Sequence, residues 1–421
     1  MAISSSEIKL TPAGRIPCHW DAVRLRDVAT EVSVRAGITY ADLPALSVTK
    51  HEGIVRADCF FGRDIQSQDK SNYKVIKHGQ FAYATIHLDE GSIGRLTVED
   101  AGLVSPMYTV FDVNEQIDPA FLFFLLKSEH YIRRYQSLGQ GTVNRRASIS
   151  FTVLGSMYIH YPPLPEQRAI ADILGAVDET TARTLAVIEQ LREAKQAVMD
   201  SLLDSKTAEQ RGNGWKSAVL DELISGIEAG SSPQCLADAA DVNEWGVLKI
   251  SAITGRRFKP EENKALPESM TPDTSREVRQ GDVLVCRANG QATLVGSSVY
   301  VYSTRPRLLL CDKTWRLLPS AGVDPRFLVA TLQSRRVRQQ IANLWNSSSG
   351  QKNISQESLR RLQVVMRHPG EQQRIGEIFQ AYDQRIDAET AYLEQLAEAK
   401  CGLAQGLLSG AIRCGAVMVE T

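Results

Sequence analysis

The sequence lacks the residue patterns that most enzymes and metal proteins show. Its seven cysteines, an odd number, include no C-x-x-C pair and have no histidines at ligand spacing, so neither a disulfide framework nor a zinc site is indicated. The chain contains no Gly-Lys dipeptide and therefore no G-x-x-x-x-G-K-[ST] phosphate loop. No apolar run approaches the ~18 residues of a membrane span, and no secretory signal is visible. We expect no metal, no cofactor bound by this chain, no membrane partner and a cytoplasmic location.

The net charge is also small, −1 over 421 residues, which by itself argues against a polyanionic partner. The distribution is uneven, however. Residues 211–367 carry 22 basic and 15 acidic side chains, and residues 1–161 carry 17 of each. The two shorter segments, 162–210 and 368–421, are acidic. This pattern is expected if only the larger segments approach a polyanion.

One segment of the chain occurs twice, at 166–203 and again at 371–408. The two copies align without a gap at a constant offset of 205, and 15 of the 38 positions are identical. The same offset extends upstream, since Ile149-Ser150 recurs as Ile354-Ser355. Such similarity indicates an internal duplication of a larger unit, to which each repeated segment belongs.

Each copy of the repeat has the spacing of a long amphipathic helix. Apolar residues recur at alternating intervals of four and three, as in a coiled coil with polar interruptions. In the first copy these positions are Ile170, Leu174, Val177, Thr181, Thr184, Ile188, Leu191, Lys195, Val198 and Leu202. A helix this long cannot bury its seam inside one ordinary domain. We therefore expect the two copies to pack against each other, antiparallel about an approximate twofold axis.

The segments before the helices, 1–161 and 215–367, have the character of globular domains. Both contain short strand-like runs separated by Gly, Pro and Asn, and one helix-like stretch, at 118–136 and 325–343. The predicted fold class is α+β (mixed α/β), with two similar domains separated by an antiparallel pair of long coiled-coil helices. The other predicted boundaries are 162–204 for the first helix, 205–214 for a linker, 368–410 for the second helix and 411–421 for a tail.

The start of the first helix, PPLPEQRAIADIL, recurs in weaker form as PGEQQRIGEIF after the second domain. In this layout the chain resembles the specificity subunits of type I restriction-modification systems over nearly its whole length. The resemblance implies a non-catalytic subunit that reads a bipartite, asymmetric double-stranded DNA target, with one half-site per target-recognition domain and the spacing set by the helices. It also implies two methyltransferase (modification) subunits and restriction/translocase subunits as partners, which would use S-adenosylmethionine, ATP and Mg²⁺.

Three kinds of polar segment are candidates for DNA contact, because Arg suits guanine, Asn and Gln suit adenine, and basic side chains bind phosphate. A polar segment before the last strand of each domain contributes Gln140, Thr142, Asn144, Arg145, Arg146, Ser349, Gln351, Lys352 and Asn353. A turn in the second domain contributes Arg287, Asn289 and Gln291, with Arg95 in a possible counterpart at Gly91–Arg95. Arg256 and Arg257 form a basic cluster beside an aromatic residue. Solvated loops and ordinary turn chemistry remain the alternative for each segment.

Several polar positions are identical in the two helices beyond what packing of a seam needs. They are Glu166, Gln167, Asp178, Glu189, Gln190 and Glu193 in the first copy, and Glu371, Gln372, Asp383, Glu394, Gln395 and Glu398 in the second. We interpret them as repeated docking points for two copies of one partner. Common descent of the two copies is the alternative.

Two other functions compete with DNA recognition. A fused modification enzyme would need a nucleotide or S-adenosylmethionine motif, and the sequence shows none. A coiled-coil scaffold without DNA specificity explains the helices. It does not explain two loop-rich domains with matching polar segments.

Overall fold

The computed structural model describes residues 8–58, 70–138, 148–203, 216–344 and 352–414. The chain divides into two compact units, one of residues 1–183 with 393–421 and the other of residues 184–392. Each unit therefore contains one globular domain together with segments of both long helices.

The first unit is built on an antiparallel sheet. Its strands and helices are β1 (Ile8–Thr11), β2 (Gly14–Pro17), β3 (Asp21–Arg24), α1 (Leu25–Val28), β4 (Ala29–Val32), β5 (Leu46–Thr49), β6 (Gly53–Arg56), β7 (Lys74–Lys77), β8 (Phe81–Ala84), β9 (Ile93–Arg95), β10 (Ala101–Val104), β11 (Tyr108–Val113), α2 (Pro119–Lys127), α3 (Glu129–Leu138), α4 (Phe151–Gly155) and β12 (Tyr158–Tyr161). The central sheet has the strand order β4-β11-β8-β9. Strand β3 pairs with β12, which leads into the long helix α5 (Leu164–Leu203).

The second unit repeats this arrangement. Its elements are β13 (Lys216–Val219), β14 (Ile224–Ala229), β15 (Gly246–Leu248), α6 (Ser251–Thr254), β16 (Asn263–Ala265), β17 (Val283–Cys286), β18 (Ala288–Asn289), β19 (Ser298–Tyr300), β20 (Leu308–Leu309), β21 (Thr314–Pro319), α7 (Pro325–Gln333), α8 (Arg335–Ala342), β22 (Lys352–Asn353), α9 (Gln356–Arg360) and β23 (Gln363–Met366). The central sheet has the order β14-β21-β17-β19, and β13 pairs with β23 ahead of the long helix α10 (Pro369–Leu408). The predicted fold of two similar α+β domains is confirmed.

The single helix predicted in each domain is in fact two helices. Asp118 caps α2 by accepting backbone hydrogen bonds from the second and third helical residues, and Pro119 suits the first position. At Ser128 the backbone becomes extended and ends α2, before α3 begins one residue later. Asp324 and Ser334 hold the same places around α7. The break was missed because serine disfavours a helix interior only weakly.

Helices α5 and α10 each contain 40 residues and are therefore about 60 Å long. In the first unit, Leu407 and Leu408 near the end of α10 share a core with Ile170 and Leu174 near the start of α5. The Lys400 ammonium donates to Asp178 two turns further along α5. The two helix segments of this unit are therefore antiparallel, as predicted.

The same pairing occurs in the second unit. Met199 and Leu203 share a core with Ile375 and Phe379 at the start of α10. Lys195 Nζ lies 2.5 Å from Asp383 Oδ1. The lysine that interrupts the apolar seam of each helix is thus explained, because its ammonium reaches an aspartate of the other helix.

A buried glutamine joins each domain to the start of its helix. Gln167 is fully buried, and its Oε1 accepts from the Asp118 backbone N–H at 2.8 Å. Its Nε2 donates to the carbonyls of Gln116 and Pro162 at 3.0 and 2.9 Å. Gln372 is equally buried and accepts from the Asp324 N–H at 3.1 Å. These side chains were predicted to dock a partner, and the structure corrects that prediction because neither reaches the surface.

The end of α10 is held in the first domain by a buried histidine. The His160 ring stacks on Trp20 with centroids 5.7 Å apart. Its Nε2 donates to the Leu408 carbonyl at 2.8 Å, and its Nδ1 accepts from the Tyr131 hydroxyl at 3.2 Å. Burial lowers the pKa of His160 from 6.5 to about 4, with the nearby His130 also acting to lower it. The ring is therefore neutral around pH 7.

Acidification should destabilise the first unit through His160. Because the folded pKa lies below the unfolded value, the stability is fully present above about pH 6.5 and is lost as the pH falls towards 4. Between about pH 7.5 and about pH 5 we expect a loss of about 2 kcal/mol from this group. His160→Gln keeps a donor but does not titrate, so its unfolding free energy should fall less over the same range. Equal pH slopes in chemical unfolding of the two proteins would contradict this role.

Removing the Gln167 side chain should destabilise the chain, because it leaves a buried N–H and two carbonyls without partners. We expect Gln167→Ala to lose about 2–3 kcal/mol of unfolding free energy. Gln190→Ala on the same helix is the matched control, since that side chain is exposed, and it should change stability by less than about 0.5 kcal/mol. Thermal and urea unfolding followed by circular dichroism measure both. Similar values for the two variants would show that Gln167 is not a structural residue.

Candidate nucleic-acid interface

The first group of predicted DNA contacts borders a junction that is common to both domains. Gln140, Thr142, Asn144, Arg145, Arg146, Ser349 and Gln351 lie outside the described residues. Just after these segments, the Ile149 N–H donates to the Thr85 carbonyl and the Ile354 N–H to the Arg287 carbonyl, each at 2.9 Å. Thr85 and Arg287 directly follow the central strands β8 and β17. Both polar segments therefore end beside the same end of a central strand.

In the second unit the structure brings two predicted segments together. Strand β18 pairs with β22, so that Asn289 lies opposite Lys352 and Ala288 opposite Asn353. Asn289 Oδ1 accepts from the Gln291 N–H at 2.9 Å, which is ordinary turn chemistry and fixes the loop that follows. Gln291 and Asn353 are exposed. The junction thus presents amide side chains from two segments of the sequence side by side.

Arg287 is the charged residue of this junction. Its backbone is fixed by the bond from Ile354 and by its own N–H, which donates to the Lys313 carbonyl at 2.9 Å. The guanidinium carbon lies 6.0 Å from the centre of the buried Trp315 ring. The Arg287 Nε is buried and has no hydrogen-bond partner within the described part of the chain. A half-buried guanidinium with an unused donor is suited to a base edge or a phosphate.

The turn after β18 is shaped by a glycine and an arginine. Gly296 has a φ of +72°, and a Cβ there would lie 2.6 Å from Ile341. Arg338 of α8 donates to the carbonyls of Val295 and Thr293 at 2.8 and 2.6 Å. Burial lowers the pKa of Arg338, and the nearby Arg256 acts in the same direction. Arg338 therefore holds the turn in place.

Arg95 does not occupy the corresponding turn of the first domain. Gly91, with a φ of +90°, is the counterpart of Gly296, whereas Arg95 ends strand β9 at the position that Tyr300 holds in β19. Burial lowers the pKa of Arg95, and Asp118 acts in the opposite direction. The structure therefore separates Arg95 from the junction, because the turn ends three residues before it.

Arg256 and Arg257 follow α6 and have different surroundings. Arg256 is exposed, with a φ of +62°. Arg257 Nε lies 3.1 Å from Asp387 Oδ1 of α10. Phe258, the aromatic neighbour in the sequence, is part of the core and does not flank the arginines at the surface. Only Arg256 of this predicted cluster is without a carboxylate partner among the ion pairs of the described residues.

Four further residues predicted to dock a partner make ion pairs within their own unit. Asp178 and Asp383 pair with the seam lysines of the opposite helix. Glu166 lies 3.0 Å from His19, and Glu371 lies 3.2 Å from Arg367. The ion pairs of the two aspartates could have been predicted from the repeat. Both seam lysines are also identical between the copies, and antiparallel packing places each lysine opposite an aspartate.

The remaining predicted docking residues are exposed on the outer faces of the helices. They are Glu189, Gln190 and Glu193 on α5, and Glu394, Gln395 and Glu398 on α10. Another matched pair on these faces is Ile173 and Ile378, which are each 39% exposed and which no charge pattern in the sequence singles out. Packing within a unit does not explain why these positions are identical.

The described residues give no sign of a metal site or a membrane span. Among the residues that the structure describes, no group of His, Cys, Asp or Glu is arranged to hold a metal ion. No described helix combines the length and apolar character that a membrane span requires. Burial raises the pKa of the Cys286 thiol to about 11, so this cysteine is not activated as a nucleophile.

Comparison with known proteins connects these features to one family. A family model described as the type I restriction modification DNA specificity domain matches residues 19–193. The EcoKI specificity subunit of Escherichia coli K12 is 26% identical over 418 residues, which cover 90% of this chain and 85% of the relative. The EcoEI specificity subunit of Escherichia coli is 26% identical over 251 residues, which cover 59% of this chain and 42% of the relative.

A solved structure has the same fold. The crystal structure of a type I restriction-modification S subunit from M. genitalium covers 92% of this chain and 96% of its own, with a TM-score of 0.58 and 14% sequence identity. Residues 19–193 thus match the type I restriction modification DNA specificity domain, and most of the chain is similar in sequence and in fold to specificity subunits of type I restriction-modification systems.

Proposed function

We propose that this chain reads a bipartite, asymmetric target in double-stranded DNA, with one half-site per domain, in the cytoplasm. The observation that carries the proposal is the junction shared by both domains. In each domain, the backbone carbonyl of the residue after the central strand accepts a hydrogen bond from a backbone N–H just after a glycine-containing polar segment. A shared backbone frame next to polar segments of different sequence would suit an asymmetric target.

Within each junction we assign base reading to the side chains nearest the end of the central strand. In the second domain these are Arg287, Asn289 and Gln291, with Lys352 and Asn353 from the adjoining strand. Arginine can make two bonds to guanine, and the amides can do so with adenine. In the first domain we assign this role to the polar segment of Gln140 to Arg146. Arg256 and the exposed lysines and arginines around it would contact phosphate.

We further propose that the two long helices set the distance between half-sites and carry the partner subunits. Glu189, Gln190 and Glu193, and their copies Glu394, Gln395 and Glu398, would dock two modification subunits. Two copies of one outer surface suit two copies of one partner. Restriction/translocase subunits would join this complex, and the partners would use S-adenosylmethionine, ATP and Mg²⁺.

Arg287→Ala tests base reading in the second domain. The assembled modification complex is used, and its target is first determined by mapping methylated bases in host DNA. If the guanidinium reads a base, the variant should lose about 1–3 kcal/mol of specific binding and relax one position of one half-site. Arg335→Ala is the matched control, because it removes an exposed arginine from α8 of the same domain.

Three outcomes of this experiment count against the proposal. Loss of the same size for Arg287→Ala and Arg335→Ala would make Arg287 a general electrostatic contact. Relaxation of both half-sites would contradict one half-site per domain. If the wild-type complex binds all double-stranded DNA sequences equally, the chain is a scaffold without DNA specificity.

Charge reversal on one helix should remove one partner subunit. With Glu189 and Glu193 changed to Lys and Gln190 to Ala, the number of bound modification subunits should fall from two to one. When Glu394, Gln395 and Glu398 are changed in the same way as well, no modification subunit should bind, because both docking surfaces then repel the partner. Native mass spectrometry measures the stoichiometry. Exchanging the exposed pair Glu179 and Arg183 is the control, and two partners bound to the sixfold variant would refute the assignment.

A further inference from the structure

Beyond the apolar core and the Gln372 anchor at the start of α10, three further polar contacts of the described residues join the second domain to this helix. The Tyr302 hydroxyl donates to Asp383 Oδ2 at 3.1 Å. Arg257 Nε lies 3.1 Å from Asp387 Oδ1, and Arg326 donates to Gln380 Oε1 at 2.7 Å. We call these three contacts the polar clamp. They lie along one face of α10, because residues three and four apart are neighbours on a helix surface.

Asp383 is the central residue of the polar clamp. Its Oδ1 is bound by Lys195 of α5 and its Oδ2 by Tyr302 of the domain. Tyr302 is held in turn by Tyr300, whose ring centre lies 4.7 Å away in an edge arrangement. One carboxylate thus fixes both the neighbouring helix and the domain. Tyr302 cannot move without breaking a bond to a group that is itself held in place.

The clamp holds the domain at a point far from the helix start. Gln372 anchors the domain at the first turn of α10, and Asp387 lies 15 residues later, about 22 Å along the axis. A domain attached at one end of a helix can rock about that attachment. Two attachments separated by about 22 Å oppose such rocking, since directional bonds are lost when the domain turns.

At the positions that can be matched among the described residues, the first domain lacks the side chains of this clamp. The Gly79 N–H donates to the Leu96 carbonyl, and in the second domain the Gly281 N–H donates to the Val301 carbonyl. Leu96 therefore corresponds to Val301, and the next residue, Thr97, corresponds to Tyr302. Ala120 stands in place of Arg326. On α5, Gly175 and Ala182 stand in place of Gln380 and Asp387. The first domain still packs on its helix through its core, so the clamp is not needed for that packing.

We propose that Tyr302, Arg257 and Arg326 are positioning residues that fix the orientation of the second recognition domain about α10, and hence the spacer length at which its half-site is accepted. This inference rests on the proposed function, because it assumes a bipartite DNA target. A half-site turns with the duplex, which completes a turn in about 10–10.5 base pairs. A domain of fixed orientation therefore accepts one spacer, whereas a rocking domain accepts neighbouring spacers as well.

Tyr302→Phe with Asp387→Asn opens two of the three contacts while keeping the shapes of the side chains. The assembled modification complex is measured against its methylation-mapped target and against targets with one base pair more or fewer in the spacer. We expect the affinity ratio between the correct and altered spacers to fall by about tenfold, within the range for coupled neighbours. Base preference within each half-site should stay the same. Arg385→Ala is the control, since it removes an exposed arginine and its ion pair with Glu389 from the same helix.

Charge exchange separates positioning from loss of folding and from direct DNA contact. Arg257→Asp and Asp387→Asn alone should both relax spacer choice, and Arg257→Asp combined with Asp387→Arg should restore it. Unchanged spacer ratios in the Tyr302→Phe, Asp387→Asn protein would overturn the proposal. A second outcome would also overturn it. This is a general loss of DNA affinity in Arg257→Ala, with the slope of log K against log salt concentration reduced by about one, that Asp387→Asn does not show. If the wild-type complex itself shows no preferred spacer, the proposed function has failed, which is a separate result.

Discussion

Each domain core is completed by the end of a helix that belongs, in sequence, to the other copy of the repeat. In the first unit Leu407 and Leu408 fill this place, and in the second Met199 and Leu203. Full burial of one such side chain contributes about 1.5–3 kcal/mol. In the first unit this packing is accompanied by the buried hydrogen bond from His160 to the Leu408 carbonyl and by the bond from Lys400 to Asp178. Removal of the distant helix end would therefore expose part of the core of either domain.

Identity between the two copies of the helix has three distinct physical causes. Ile170 and Ile375 are identical because both fill a domain core. Gln167 and Gln372 are identical because each satisfies buried backbone groups at the helix start. Once these residues and the lysine-aspartate pairs are set aside, a set of exposed identical residues remains. Among the described residues, the partner given for this set is Arg192, which pairs with Glu189. Burial thus turns a list of identical residues into a short list of candidate contact residues.

The sequence was sufficient for the elements that depend on period and repetition. The 4-3 spacing predicted the two long helices, and the duplication predicted the antiparallel packing of their segments within each unit. The sequence could not separate residues of the same type that have different physical roles. Gln167 and Gln190 are both repeated glutamines on one helix, and only the fold shows that one is buried. The bond between Tyr302 and Asp383 joins residues 81 apart, for which no local pattern exists.

The two domains share a frame but differ in what is attached to it. The first carries the hairpin β5-β6 with its own apolar cluster, and the second carries the sheet β16-β15-β20 with another. At the junction, the same backbone position holds Thr85 in one domain and Arg287 in the other. A hydroxyl donates one hydrogen bond and also accepts, whereas a guanidinium only donates and can do so twice to one guanine. Under the proposed function, this exchange of side chain on equal backbone geometry would let the two junctions prefer different bases, and a duplicated frame would then read an asymmetric target.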